Sequence, residues 1–568
     1  MEFMKPAHII TRSVDTDALQ TLLAQGVDPL LAKLYATRAV KNKSETEYNL
    51  SALLPFQNLK NIQAASERLA QAIERQEKIL IVADYDADGA TACALGIRGL
   101  QAMGAQTDFF VPNRFEHGYG LTEQIAELAA QAGTNLLLTV DNGIASVAGV
   151  QRAQQLGMDV LITDHHLPGG QLPECIIVNP NQPGDQFPSK ALAGVGVMFY
   201  VLMALRYHLR QQNRFSKHPE PNLAQWLDLV ALGTIADVVS LDQNNRLLVT
   251  QGLRRIKADK MQAGIRALFA VAKRNPQQAH AFDLGFAIGP RLNAAGRLDD
   301  MSLGIACLLS DDMESATDLA EQLNDLNHER RQIQRSMQDE ANLQLAGFNT
   351  ENSYSIVAYH DNWHQGVTGI LAGRLRETFH RPSIVFAQAE DGTLRGSGRS
   401  ITGLHLRDAL DMVSKRRPDI IQKFGGHAMA AGLSISEIHL AAFQNEFEAV
   451  CRQLIRPADL NYTYQTDGSL DNQYLNLATA QQLAALVWGQ NFPEPRFCDE
   501  FKVIRQQIVG TGHIKAVLHK NNCEYEVMFF RCTATLPEHI RVVYRLIANQ
   551  WHQQMELQLY ADYWEICN

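Results

Sequence analysis

Two hydrophobic periods alternate along this chain. Between residues 79 and 163 one arrangement appears three times: a short aliphatic run that breaks abruptly into polar side chains. Ile79-Leu80-Ile81-Val82-Ala83 runs into Asp84-Tyr85-Asp86-Ala87-Asp88-Gly89, Leu136-Leu137-Leu138-Thr139-Val140 into Asp141-Asn142-Gly143, and Val160-Leu161-Ile162-Thr163 into Asp164-His165-His166. Continuous apolar runs of this length read as central parallel strands, and the segments between them, such as Thr91 to Leu100, carry helical spacing. Alternating strands and helices predict an α/β, doubly wound parallel sheet whose strand ends all face one side, where ligands of such sheets bind.

Beyond this region the pattern changes twice. From Asp311 to about Leu345 the spacing of Leu319, Leu323, Leu326, Ile333 and Met337 predicts one long amphipathic helix, charged on its other face, that connects domains. Ser355 to Tyr359 and Pro382 to Phe386 read as strands of a smaller α/β unit. Phe501 to Ile508, Ile514 to Leu518, Tyr525 to Arg531, Ile540 to Leu546 and Met555 to Tyr560 read as the short strands of a C-terminal β-barrel.

Composition narrows the class. At 568 residues with 46% hydrophobic and 20% charged side chains the chain is an ordinary globular protein, and no apolar run approaches the ~18 residues of a membrane span. The first residues lack a signal-peptide pattern, so a cytoplasmic location is expected. Eight scattered cysteines without a Cys-x-x-Cys pair point to reduced thiols rather than zinc. A net charge of -10 excludes a generally basic nucleic-acid coat but leaves room for a local positive groove. Between Arg374 and Lys423, ten Lys or Arg face six Asp or Glu, including Lys415-Arg416-Arg417, a run that reads equally as a solvated face or a DNA track.

The strand ends carry the chemistry. Three carboxylates within five residues, Asp84, Asp86 and Asp88, repel one another and need water or a cation. Asp-x-Asp-x-Asp-Gly also opens a calcium loop, but the glutamate such a loop needs at its twelfth position falls on Leu95, and a strand precedes it. The sheet geometry gathers Asp86, Asp88, Asp141 and His165 at one place. Asp237 follows the apolar segment Trp226 to Ile235 in surroundings where an unpaired carboxylate would be costly. Carboxylates with one or two imidazoles suit manganese or magnesium, in sufficient number for two ions. Two such cations about 4 Å apart activate water and clamp the oxygens of a phosphoryl centre, so hydrolysis at phosphorus is expected.

Asp84 to Ala92, Asp141-Asn142-Gly143, Asp164-His165-His166 and Asp237 resemble, in order and spacing, the four motifs of the DHH phosphoesterase superfamily, and from about residue 50 onward the chain is similar to its single-strand-specific exonucleases. The resemblance implies two Mn2+ or Mg2+ ions held by Asp86, Asp88, Asp141, His165 and Asp237, with Asp141 bridging. Asp84 is the substitute ligand where many pyrophosphatase-like members carry a histidine and this chain has Val82. His166 is implied as an orienting group or proton donor. It further implies Arg114 as a contact for a terminal 5'-phosphate, Tyr119 as a stacking partner for a base, and Arg291 as a cation offsetting charge on phosphorus. Ser397, Arg399 and His427 become substrate contacts of a DHH-associated domain, whose glycine-rich N–H groups would face the phosphates.

The implied organisation is an N-terminal extension (1–50), a DHH catalytic domain (51–250), a helical connector (251–345), the DHH-associated domain (346–455) and an oligonucleotide-binding (OB-like) barrel (456–568). That barrel is entered through a stretch resembling Trp488 to Pro495, and Lys515 and His519 are its candidate DNA contacts. The implied activity is stepwise 5'-to-3' hydrolysis of single-stranded DNA to 5'-mononucleotides by a monomer. Single-strand-binding protein and a RecQ-type helicase are the implied partners in repair and recombination. The alternatives are a small-substrate phosphatase or nanoRNase of the superfamily and a non-catalytic, Cdc45-like DNA-binding scaffold, which would be expected to have lost ligands.

Overall fold

A computed structural model of the chain describes residues 7–113, 120–216, 219–349, 351–510, 512–551 and 554–567. They form two compact units, one of residues 12–327 and 467–568, the other of 328–466 with the N-terminal residues up to Thr11. The N-terminal strand β1 (Ala7–Thr11) therefore belongs to the second unit, whereas the helices Thr16–Ala24 and Pro29–Ala36 belong to the first.

Within the first unit β2 (Lys78–Ala83), β3 (Gln106–Phe110), β4 (Leu136–Val140), β5 (Asp159–Thr163) and β6 (Ile176–Val178) form the expected all-parallel sheet in the order β3-β2-β4-β5-β6. Both faces are covered, which explains the unbroken aliphatic runs. Ile79, Ile81, Leu136, Leu138 and Leu161 pack on one face with the helices Ala87–Ala102 and Gly194–Gln211. Leu80, Val82, Leu137, Val160 and Ile162 pack on the other with Ile125, Ala129, Val150 and Ala153. Each such side chain contributes roughly 1.5–3 kcal/mol of burial.

The strand order decides where a ligand goes. The chain leaves β2 toward β3 at one edge and returns on the other side of β2 to make β4, so the sheet's switch point lies between β2 and β4. Ala83 pairs with Val140 and Val140 with Thr163, so the next residues, Asp84, Asp141 and Asp164, stand abreast at the carboxyl edge.

Residues expected as a helical connector divide. Leu253, Ile265, Leu268, Leu292, Ile305 and Leu323 share the core of the parallel-sheet domain. What remains as a connecting element is the helix Met313–Gln344, 32 residues and about 48 Å long, within which one unit gives way to the other.

The second unit holds β7 (Ile356–Tyr359), β8 (Ser383–Gln388), β9 (Thr393–Arg399), β10 (Ile421–Gly426) and β11 (Ala430–Ser436) in the order β10-β11-β9-β8-β7. The β7/β8 pair is parallel and the others are antiparallel. Its last strand, β12 (Tyr462–Thr466), pairs in parallel with β1.

In the first unit again, β13 (Phe497–Val509), β14 (His513–Lys520), β15 (Cys523–Phe529), β16 (His539–Trp551) and β17 (Gln554–Ile566) close into the expected barrel, in the order β13-β14-β15-β17-β16. Five strands around Phe501, Leu518, Val527, Phe529 and Tyr544 make an OB-like architecture. A buried ion pair ties it to the N-terminal helices: Arg38 donates to both carboxylate oxygens of Asp467, at 2.8 and 3.0 Å.

Candidate metal centre

Each candidate ligand is delivered by the end of an element. Asp86 is the N-cap of helix Ala87–Ala102, its carboxylate accepting the N–H groups of Asp88 (2.9 Å) and Gly89 (3.1 Å). Asp88, in the first turn of that helix, accepts the N–H groups of Gly194 (2.6 Å) and Val195 (2.9 Å) at the start of the facing helix. That approach needs residues without side chains. A Cβ on Gly194 would lie 2.6 Å from the Cβ of Asp141, and one on Gly233 would collide with Thr91 and Asp88.

Asp141 holds a left-handed backbone (φ 63°), uncommon outside glycine, and is locked there by the bond from its N–H to the Thr163 carbonyl (3.0 Å). The neighbouring Asn142, fully buried, donates to the carbonyls of Val82 (3.0 Å) and Val140 (2.9 Å), fastening the two strand ends together.

His165 Nε2 lies 3.0 Å from Asp141, 3.5 Å from Asp237 and 3.9 Å from Asp88. Asp237 reaches this place from the C-terminal cap of helix Leu227–Ala236, not from a strand. His166 is held differently. Its Nδ1 lies 2.8 Å from Asp164, which also accepts the N–H groups of His165, His166 and Ile144, and 3.9 Å from Asp141.

Asp84, Asp86, Asp88, Asp141, His165, His166 and Asp237 thus converge, and three trios of them bring ligand atoms within 4.8 Å of one another: Asp84, Asp86 and Asp141; Asp88, His165 and Asp237; Asp141, His165 and His166. The electrostatics show what the cluster lacks. Burial first, and then the neighbouring aspartates, push the carboxyls of Asp141 and Asp237 far above the usual range; burial and Asp86 push Asp88 up to about 7. His166 loses to burial but gains more from its bond to Asp164, and is raised to about 9. Asp141 Oδ1 is buried and, apart from His165 Nε2 at 3.0 Å, has no polar partner that satisfies it as a hydrogen bond among the described residues. Hard oxygen donors, an imidazole and an orphaned carboxylate oxygen fit divalent cations of the manganese or magnesium kind.

The remaining predicted residues lie on other elements. Arg114 and Tyr119 lie outside the described residues. Arg291, on helix Gly289–Leu298, is buried and donates to the Ala287 carbonyl (2.6 Å) and to Asn324 (3.1 Å). Ser397 and Arg399 lie on β9 of the second unit. Thr368 Oγ1, at the start of helix Thr368–Phe379, donates to Ser397 Oγ (3.1 Å), and the Arg399 guanidinium passes close to Gly369. Burial and then Arg376 lower the pKa of Arg399, and it makes no ion pair among the described residues. His427 occupies the turn from β10 to β11, its N–H on the carbonyl of Ala430, which pairs with Arg399.

One expectation needs correction. The glycines of residues 395–399 do not present a row of free amides: β9 is a central strand, laddered to β8 and β11, and a Cβ on Gly398 would lie 2.7 Å from Leu406. Lys415, Arg416 and Arg417 are each paired, with Asp411 (2.6 Å), Glu446 (3.1 Å) and Asp419 (2.8 Å), as on a solvated face. In the barrel, Lys515 pairs with Glu526 at 2.7 Å.

Sequence reasoning assigned no role to Asp164, whose place before two histidines was the available signal. It also passed over Asn293, which accepts the Ala87 N–H (2.8 Å) in the acidic turn. Phe282 and Phe286, one helical turn apart, stack at 4.7 Å with the latter 68% exposed, on a segment packed against Ile235 through Gly285. Their spacing was legible; their exposure was not.

Fold and site define a DHH-type phosphoesterase. The family model of the DHH N-terminal domain matches residues 78–234, that of the DHHA1 domain 352–453 and that of the RecJ OB domain 466–563. The chain is 46% identical over 555 residues to the single-stranded-DNA-specific exonuclease RecJ of Salmonella typhimurium, covering 95% of this chain and 96% of that one. It is likewise 46% identical over 549 residues to that of Escherichia coli, covering 94% and 95%. The crystal structure of RecJ from Thermus thermophilus in complex with Mn2+ superimposes with a TM-score of 0.83 at 29% identity, covering 99% of this chain and 79% of that one. Its Mg2+ complex gives 0.78 at 28% identity, covering 99% and 78%. The chain belongs to the RecJ family.

Proposed function

We propose that this protein is a metal-dependent exonuclease that degrades single-stranded DNA from its 5' end to 5'-mononucleotides. The observation that carries the reading is the convergence of Asp84, Asp86, Asp88, Asp141, His165 and Asp237 at the sheet's switch point, on a chain nearly half identical over its length to single-stranded-DNA-specific exonucleases. A scaffold descended from such an enzyme would have no use for a complete ligand set, and a small-substrate phosphatase none for the barrel.

Asp86, Asp88, Asp141, His165 and Asp237 hold two divalent cations, with Asp84 as a further ligand. The cations supply Lewis acidity toward phosphorus and an activated water. The chain's own groups supply the rest. Asp164 fixes the His166 ring and favours its protonated form, which suits it to protonate the departing 3'-oxygen. Arg291 offsets charge on the phosphoryl group. The Arg399 guanidinium, largely withdrawn from water beside Ser397 and the start of helix Thr368–Phe379, is suited to a terminal 5'-phosphate. Arg114 is a further phosphate contact, His427 a substrate contact and Tyr119 a stacking partner for a base; the stacked, exposed pair Phe282 and Phe286 offers a second stacking surface.

Among the described residues no helix is long and apolar enough to cross a membrane, and the proposed setting is the cytoplasm, as a monomer. There it acts in repair and recombination with single-strand-binding protein and a RecQ-type helicase. The test uses 5'-labelled single and double strands with Mn2+, Mg2+ or chelator. Mononucleotides released from single strands alone, and none with chelator, are expected. Binding without release would sink the proposal.

A further inference from the structure

The stretch from Trp488 to Pro495 precedes the barrel and has no part in the chemistry above, yet it is built with care. Gly489 and Phe492 exchange backbone hydrogen bonds, Gly489 N–H to the Phe492 carbonyl at 2.9 Å and the reverse at 3.1 Å. They close a tight turn with Gln490 and Asn491 at its tip. Its base is anchored on both sides. Trp488 stacks on Phe492 with ring centroids 5.2 Å apart, and its indole N–H donates to the Leu483 carbonyl. The Arg246 guanidinium sits 4.2 Å above the Phe492 ring, and Arg38 donates to the Pro493 carbonyl at 2.8 Å.

The tip meets the parallel-sheet domain at Ser240 and Leu241. Leu241 N–H donates to the Gln490 carbonyl (2.9 Å), and Asn491 Nδ2 donates to Ser240 Oγ (2.9 Å). A Cβ on Gly489 would lie 2.7 Å from Leu241 Cδ1, so turn and segment are in contact. From the opposite side Asn245 Nδ2 donates to the Ser240 carbonyl (2.9 Å) and Arg246 Nη1 to the Leu241 carbonyl (2.8 Å). Arg246 therefore touches both the turn and the segment it grips.

Ser240 and Leu241 stand three and four positions after Asp237. Between them the chain leaves its helix through Val238, a β-branched residue in the left-handed region (φ 61°) that is 62% exposed. Such a conformation persists where its surroundings over-determine it. Val238 has few neighbours to do so, and the clamp on Ser240 and Leu241 supplies the restraint.

We propose that the Gly489–Phe492 turn is a positioning element for Asp237, holding the segment after the helix so that the carboxylate stays beside Asp88, Asp141 and His165. The seating of the barrel and the affinity of the metal centre are then coupled, and the coupling is reciprocal. This rests on the metal-binding part of the reading above.

The experiment titrates Mn2+ into the metal-free full chain by calorimetry, with Asn491→Ala, Ser240→Ala, their combination, and Asp237→Ala marking which of the two binding steps Asp237 serves. Each single variant is expected to weaken that one step roughly 3- to 10-fold, somewhat less than loss of a group bonded directly to a ligand. The pair should do no more than either alone, because both remove one bond. The Mn2+ concentration for half-maximal nuclease activity should rise by the same factor, with kcat at saturating Mn2+ within about twofold and the metal-free melting temperature within about 2 °C of wild type. Unchanged Mn2+ affinity, or equal weakening of both steps with a lowered melting temperature, overturns the proposal. A wild-type chain that binds two Mn2+ without degrading DNA would sink the nuclease reading and leave this titration decisive.

Discussion

The metal centre and the β9 region around Arg399 are electrostatic opposites. At the first, Asp88, Asp141 and Asp237 crowd together with little water to separate them, and all three are pushed toward the neutral form. At the second, a guanidinium is largely withdrawn from water without an ion-pair partner among the described residues, and its proton is held less tightly than usual. Each region, within its own unit, is unfinished until a charge of the other sign arrives. The difference teaches what each is for: clustered acids with an orphaned oxygen call for cations, whereas one desolvated arginine beside two hydroxyls calls for an anion.

Removing the carboxylate that belongs to the most trios should break the comparison on its acidic side. Asp141→Ala is expected to lower kcat on single-stranded DNA at least about 10^3-fold, because every role of the cations depends on their being held. Binding of the same strand, measured by fluorescence anisotropy in chelator, should change little. An Asp141→Ala variant that still degrades DNA would mean the cluster is not the reaction centre.

The cationic side is tested by Arg399→Ala, which should reduce kcat/KM on 5'-phosphorylated strands roughly 10- to 100-fold, as expected for loss of a charge-assisted contact to phosphate. On strands with a 5'-hydroxyl the loss should be much smaller. Equal rates on both ends in the wild type would remove this role altogether, whatever the variant does.

How much of each region was legible follows from how it is encoded. The sheet was, because Ile79–Ala83 and Leu136–Val140 are buried on both faces and so write themselves as unbroken runs; once the strands were parallel, their ends had to share an edge. Asp237 was legible as a misplaced charge, although its helix was not. Asp164 was hidden because its work is done through hydrogen bonds to its own neighbours, which spacing does not reveal. The β9 glycines misled: the resemblance implied glycine N–H groups facing phosphates, but Gly398 is small to admit Leu406, a contact across the fold that no local pattern carries. The Lys415-Arg416-Arg417 run was likewise ambiguous, since two of its partners, Asp411 and Asp419, are near in sequence and the third, Glu446, is not.

Acidity offers a way to sharpen the contrast without mutation. In the metal-free chain the raised carboxyls bind protons that the unfolded chain would have released, so their contribution to stability is complete below the ordinary carboxylate range and is lost as pH rises through the folded values. His166, raised from 6.5 to about 9, has the same sign over a higher window. The melting temperature in chelator should therefore fall on the order of 3 °C between about pH 5 and pH 8. Mn2+ should reverse the fall, more strongly at the higher pH. A melting temperature that rises with pH in chelator would show that the acids are not mutually destabilised.

The smallest effect is expected where basic residues are already satisfied. Lys415, Arg416 and Arg417 resemble Arg399 in charge and differ in circumstance: each has a carboxylate partner. A DNA phosphate would have to displace that partner, and an exposed pair of this kind exchanges one weak, screened interaction for another. Replacing all three by alanine should alter KM for single-stranded DNA by less than about twofold near 0.15 M salt, and should leave the salt dependence of binding nearly unchanged, because few counterions are released there. A steep loss of affinity together with a flatter salt slope would place DNA on this face after all, and would mean that desolvation without an ion-pair partner is not what separates a phosphate-binding arginine here from the rest.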